Sequence, residues 1–171
     1  SMKLMNGLTR DNLIDMYQKR FSESQMKEII RGLDDNVDVS VYAKECYNNR
    51  QMEQLRTGLS ENLDVSSYAD PTLNSAHMMV ILNGLRKHID MTPYIKQGFS
   101  AVQMNQILDG LLAKVDVSAY ADTRYTWEQM EQLMIGLING IDVSRYADPL
   151  MSVSEMQQIR EALIEEVEKA S

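Results

Sequence analysis

With 171 residues, 44% of them hydrophobic, 25% charged and only three prolines, the chain has the balance of one ordinary folded domain, not of a low-complexity segment. A net charge of −8 and a pI near 4.8 argue against a groove that neutralises phosphates, so nucleic acid and anionic membranes are disfavoured as partners. The single cysteine, Cys46, excludes an internal disulfide and any cysteine-based metal site, and it fits a reducing, cytoplasmic setting.

At the front, Ser1 ahead of Met2 reads as an addition to a native start at Met2. The first residues lack the apolar core of a secretion signal, and no later run approaches the ~18 apolar residues of a membrane span. Gly7-Leu8 and Tyr17 echo Gly32-Leu33 and Tyr42 at an offset of 25, so residues 1–20 read as a partial repeat that caps the chain.

From residue 21 a period of 26 takes over, without insertions. Met26, Met52, Met78, Met104, Met130 and Met156 form one column. Gly32-Leu33, Gly58, Gly84, Gly110 and Gly136 form a second, which becomes Ala162 in the last copy. Asp38, Asp64, Asp90, Asp116 and Asp142 form a third, and Tyr42, Tyr68, Tyr94, Tyr120 and Tyr146 a fourth. Residues 21–46, 47–72, 73–98, 99–124 and 125–150 are full copies, and 151–171 is a sixth that closes the array as a capping repeat.

Within the first copy, Ser22 with Gln25 has the spacing of a capping box, and Phe21 with Met26 that of a hydrophobic staple. Caps Asn48, Asn74, Ser100, Thr126 and Ser152 repeat the arrangement. Met26, Ile29, Ile30, Leu33 and Val37 then fall on one apolar stripe of a long helix that ends near Asn36 or Val37. Asp38 opens a second segment of one or two turns, partly 3₁₀, and Asp70-Pro71 and Asp148-Pro149 stop its counterparts. One such pair cannot bury its own stripe, so the copies must stack. The expected fold is all-α: a solenoid of six 26-residue repeats, each a long helix plus a short α or 3₁₀ helix, with capping helices at both ends. The recurring glycine predicts a close crossing of helices from neighbouring copies. In the last copy Glu165, Glu166, Glu168 and Lys169 replace the turn, so the final helix runs on as a charged cap.

The pattern Phe-Ser-x-x-Gln-Met-x-x-Ile-x-x-Gly-Leu followed by Asp-Val-Ser-x-Tyr-Ala-Asp-Pro, carried by Phe99–Ala121 and Tyr125–Pro149 among others, resembles a short helical repeat of gut Firmicutes proteins encoded on phages and conjugative elements. The resemblance spans Phe21 to Leu163 and implies a bacterial, mobile-element origin without implying an activity. The long-helix, short-helix unit is also similar in architecture to leucine-rich variant repeats.

Chemistry-bearing residues read as structural. The Asp column lies one carboxylate per copy, too widely spaced to share an ion, and Asp-Val-Ser is a helix cap. The Tyr column reads as packing between repeats with hydroxyls at the edge, although exposed rings could grip bases or a peptide. The Met column reads as core. His77, His88 and Cys46 have no partners at catalytic or metal-site spacing. No catalytic constellation, cofactor motif or metal site is expected. The residues that vary within the frame, read as outward, are the candidate partner-binding positions: Arg31, Arg56, Val80, Asn83, Arg86, Gln106, Asp109, Gln132 and Ile135. Lys27, Glu28, Glu53, Gln54, Met79, Asn105, Glu131, Gln157, Gln158 and Arg160 complete those rows. The expected function is a non-enzymatic scaffold, monomeric or weakly self-associating, that binds a protein or peptide along one face. An acidic decoy for a nucleic-acid-binding protein is the first alternative, and a nucleic-acid-binding array the second.

Overall fold

The computed structural model describes residues 7–171, and among them every regular element is helical. Two compact bodies divide the chain between Thr92 and Pro93. The first holds α1 (Arg10–Gln18), α2 (Glu23–Asp34), α3 (Asn49–Ser60) and α4 (Ser75–Arg86). The second holds α6 (Ala101–Leu112), α7 (Trp127–Ile138) and α8 (Val153–Ala170), and the short α5 (Thr92–Lys96) falls at the division. In the first body α2 packs on α1 and α3, and α3 on α4; in the second, α7 packs on α6 and α8. The echo of Gly7 and Tyr17 is one of sequence only. Tyr17 rides the last turn of α1, which Thr9 and Asn12 cap, and its ring meets Phe21 at 5.8 Å between centroids.

The caps are those the spacing predicts. Ser22, Asn48, Ser100 and Thr126 each accept the backbone N–H of the glutamine three residues on, and that glutamine's side chain accepts the cap's own N–H. The long helices stop earlier than expected, at Asp34, Ser60, Arg86, Leu112 and Ile138. The residue two beyond each stop is left-handed: Asn36 (φ 60°), Asn62 (φ 59°), His88 (φ 60°), Lys114 (φ 61°) and Gly140 (φ 72°). The next amide reaches back to the helix, as in Val37 N–H to the Gly32 carbonyl at 3.0 Å. This six-to-one bond closes a Schellman motif and satisfies a carbonyl the helix end would orphan.

The second segment is a single 3₁₀ turn: Val39–Val41, Val65–Ser67, Val117–Ala119 and Val143–Arg145. Met52, Met78, Met104, Met130 and Met156 have no exposed surface, so the Met column is core as expected. Leu33 and Leu163 are buried, whereas Leu59, Leu85, Leu111 and Leu137 are half-buried.

The glycine column serves a purpose the sequence reading misassigned. The atoms nearest a Cβ at Gly58 come from its own copy and not from a neighbouring helix. A Cβ built there would fall on the Tyr68 hydroxyl and lie 2.6 Å from Val65 Cγ1, both from the turn of its own copy. Gly32, Gly110 and Gly136 face Tyr42, Tyr120 and Tyr146 in the same way. Through each gap the hydroxyl donates to a helix carbonyl one turn earlier: Tyr42 to Glu28 at 2.6 Å, Tyr68 to Gln54 at 2.7 Å, Tyr120 to Gln106 at 2.6 Å and Tyr146 to Gln132 at 2.7 Å. The hydroxyls are therefore sunk inside each copy and not at its edge, and all four tyrosines have no exposed surface. Alanine in place of these glycines does not fit.

The third copy departs from the frame. Gly84 faces the Ile89 carbonyl and Met91, and α5 replaces the 3₁₀ turn. Tyr94 is half-buried, its ring set edge-on to Phe99 at 5.8 Å. Ala162 occupies the glycine column where α8 runs on without a turn, so no tyrosine needs the gap.

Candidate interaction surface

The aspartate column is occupied by capping. The Asp64, Asp116 and Asp142 carboxylates accept from the side chain and backbone of Ser66, Ser118 and Ser144, and these bonds hold them below the usual carboxylate range. Among the described residues no three His, Cys, Asp or Glu side chains converge as metal ligands, and no helix is long and apolar enough to cross a membrane. Cys46 is exposed and unpaired. A cleft of about 240 Å³ lies beside Leu13, Tyr17, Leu33 and Val39. The one carboxylate on its wall, Asp38, already caps Ser40 at 3.1 Å.

The positions read as outward divide into two sets. Lys27, Arg31, Glu53, Met79, Asn105, Asp109, Gln157 and Gln158 are exposed, as is Arg86. Asn83, Glu131 and Ile135 are half-buried. Val80 and Gln132 are not outward at all: Val80 is 1% exposed and Gln132 7%. Glu28 and Gln54 are buried as well. The correction has a simple cause. Glu28 and Gln54 in the first body, and Gln106 and Gln132 in the second, lie on the helix flank that the next helix of the same body covers, and there a polar identity was mistaken for exposure; Val80, apolar, is simply buried.

That flank carries polar links between copies. Arg56 Nε donates to Glu28 Oε2 at 2.8 Å, and Arg31 reaches the other oxygen at 3.1 Å. Arg56 also stands 3.4 Å from Asp35. Burial acts to lower the Arg56 guanidinium, but its bond to Glu28 and the nearby carboxylates outweigh this and hold it above its ordinary value. Arg160 Nε donates to Gln132 Oε1 at 2.8 Å, 28 residues back, which repeats the Arg56–Glu28 spacing. Arg86 grips Glu61 with two bonds of 2.6 and 2.7 Å, and Arg10 holds Asp34 at 2.7 Å.

The links missed by the sequence reading belong to the capping glutamines. Gln51 Nε2 donates to the Leu73 carbonyl of the next copy at 2.7 Å and to Pro71 at 3.1 Å. Gln129 does the same to Met151 at 2.8 Å and Pro149 at 2.9 Å, and Gln103 to Tyr125 at 2.7 Å. Gln25 reaches Tyr47 at 2.9 Å. The signal was present: this place holds glutamine, which can donate, in the first, second, fourth and fifth copies, with His77 in the third and Glu155 in the sixth.

The second body differs at the C-terminal end of its helices. The column that reads Asp34, Ser60 and Arg86 in the first body becomes Leu112, Ile138 and Ile164. Leu112 is 43% exposed and Ile138 54%. Among the described residues of 93–171 no ion pair joins one copy to the next. Gln106 Oε1 is buried without a hydrogen-bond partner, and Met134 stands where the repeat frame puts Arg56 and Arg160. One turn beyond Gln106, the Asp109 carboxylate meets no cation, and desolvation raises it above the usual carboxylate range.

Comparison with known proteins supplies no relative for this geometry: no protein-family profile, no curated protein and no solved structure matches the chain.

Proposed function

We propose that the chain is a non-enzymatic repeat scaffold, an α-solenoid of six 26-residue copies that binds a protein or peptide partner along one face. The observation that carries this reading is the division of labour inside the repeat. The residues that recur in every copy, or nearly so, are spent on its own interior: methionine in the core, glycine and tyrosine in the lock, aspartate in the cap, glutamine in the link to the next copy. At the same frame the outer row changes chemistry from copy to copy, as Lys27, Glu53, Met79, Asn105, Glu131 and Gln157. Constant frames with a variable outer row suit an extended recognition surface. The chain then acts in the cytoplasm, as a monomer or weak homo-oligomer, and its resemblance to repeats of phages and conjugative elements suggests a bacterial mobile-element origin.

The acidic-decoy alternative is weaker because Glu28, Asp34, Asp35 and Glu61 are already paired with the chain's own arginines. Selection of random displayed peptides on the full chain tests the scaffold reading. Binders that compete with one another for one face support it. Failure to select any binder overturns it.

A further inference from the structure

The first body shows what the acceptors on a helix flank require. Between α2 and α3, the acceptors Glu28 and Asp35 are both served by Arg56. Between α7 and α8, Gln132 is served by Arg160. Between α6 and α7 Gln106 holds the frame position of Glu28, Asp109 stands one turn on at that of Arg31, and the arginine is missing. Gln106 Oε1 is orphaned, Asp109 is unpaired, and the frame position of the cation is Met134. A buried acceptor without a donor costs ~1–3 kcal/mol, so the site is expensive to leave empty. Met134 is half-buried, and its three rotatable bonds let it move aside.

Beside this gap lies exposed apolar surface. Leu112 ends α6, Ile138 ends α7, and both are solvent-facing. Asp109 and Glu161, exposed members of one repeat column, flank that row on α6 and α8. Residues 93–171 hold twelve acidic side chains against six basic ones. A surface that is apolar along its centre and acidic at its margin complements a helix with leucine-like residues on one face and arginines beside them. A second copy of this chain would bring the same acids against themselves, which disfavours self-association here.

Resting on the scaffold reading, we propose that the α6–α7 face is the docking site for an arginine-bearing amphipathic segment of a partner protein. One partner arginine takes the place that Arg56 and Arg160 hold elsewhere, pairing with Asp109 and reaching Gln106 as Met134 swings out. Leu112 and Ile138 receive the partner's apolar side chains.

The test uses the full chain and a fluorescein-labelled amphipathic peptide of leucine and arginine, followed by anisotropy, with a leucine–glutamate peptide as comparison. Met134→Arg fills the gap from within, and Asp109→Lys reverses the margin. Each is expected to weaken the arginine peptide by at least about tenfold, or ~1.4 kcal/mol, while Asp15→Lys, on the exposed side of α1 and outside the outer row, leaves it unchanged. Circular dichroism establishes that each variant is folded, and Asp109→Asn, which is isosteric and exposed, repeats the test if either is not. Equal loss in Asp15→Lys would show attraction to net charge alone and overturn the proposal. So would unchanged affinity in Met134→Arg and Asp109→Lys, or a dimer in light scattering that both variants dissociate. Displayed peptides that bind elsewhere, without arginine, would overturn this site and leave the scaffold reading intact. Failure to select any peptide would remove both.

Discussion

Gln51 ties its own helix to Leu73 of the next copy. Its Oε1 accepts the Asn48 N–H at 2.8 Å, while its Nε2 donates to the Leu73 carbonyl at 2.7 Å. One neutral amide thus caps α3 and bridges to the segment ahead of α4. No carboxylate can do both, because the ionised form only accepts.

Gln51→Glu is therefore expected to destabilise the chain by about 2 kcal/mol, since an anion would face two carbonyls and leave them without a donor. Glu155→Gln, at the same frame position with no following copy, is expected to change stability by less than ~0.5 kcal/mol. Urea denaturation of both variants at pH 7 checks the pair. The deficit of Gln51→Glu should narrow as pH falls toward ~4, because the folded state raises the new carboxyl's pKa and stability is regained as the group takes up its proton.

The orphaned Gln106 predicts a gain from mutation. Gln106→Val copies the residue that the same frame position carries as Val80, which is buried and apolar. Removing a buried acceptor that has no donor should stabilise by about 1 kcal/mol. Met134→Arg should stabilise by a similar amount through a bond like that of Arg160 to Gln132. The two together should not add, because each removes the same deficit. Thermal unfolding of the two single variants and the double variant decides the matter, and a lower Tm in both singles would contradict it.

Capping boxes, the methionine core, the existence of a short second segment and the continuous last helix were all legible, because each rests on local spacing; that the segment is a single 3₁₀ turn was not. Val80 and Gln132 were not, because exposure of a helix flank depends on where the next helix lies, and period alone does not give that angle. The glycine column was read as a helix crossing for a related reason. A missing Cβ announces close approach but not which atom approaches, and here it is the hydroxyl of a tyrosine ten residues on. Left-handed Asn36, Asn62, His88 and Lys114 escaped notice because three kinds of side chain hide a shared backbone state that only Gly140 advertises.

Alkaline unfolding should follow the tyrosine column. Burial raises Tyr42, Tyr68 and Tyr120 far above the ordinary phenol range and pushes Tyr146 up to about 12. An unfolded tyrosine titrates near ~10. The folded state keeps its phenolic protons longer, so this stabilisation is complete below about pH 10 and is lost as pH rises from there toward 12. Absorbance at 295 nm and circular dichroism, followed together, should show these four hydroxyls ionising only as helix is lost. Their ionisation with the helical signal intact would contradict the lock.

The most direct test of the repeat's internal lock is a double-mutant cycle at Gly58 and Tyr68. Helix propensity alone favours Gly58→Ala by ~1 kcal/mol. The hydroxyl in its path reverses that sign, and about 3 kcal/mol of destabilisation is expected from overpacking. Tyr68→Phe alone should cost ~1–2 kcal/mol through the lost bond to Gln54. Combined, the two should cost at least ~1 kcal/mol less than their sum, since the phenylalanine vacates the space the new methyl needs, although Val65 Cγ1 at 2.6 Å keeps the rescue partial. Additive losses in urea denaturation, or an alanine at 58 that stabilises the chain, would show that the tyrosine hydroxyl does not occupy the glycine gap.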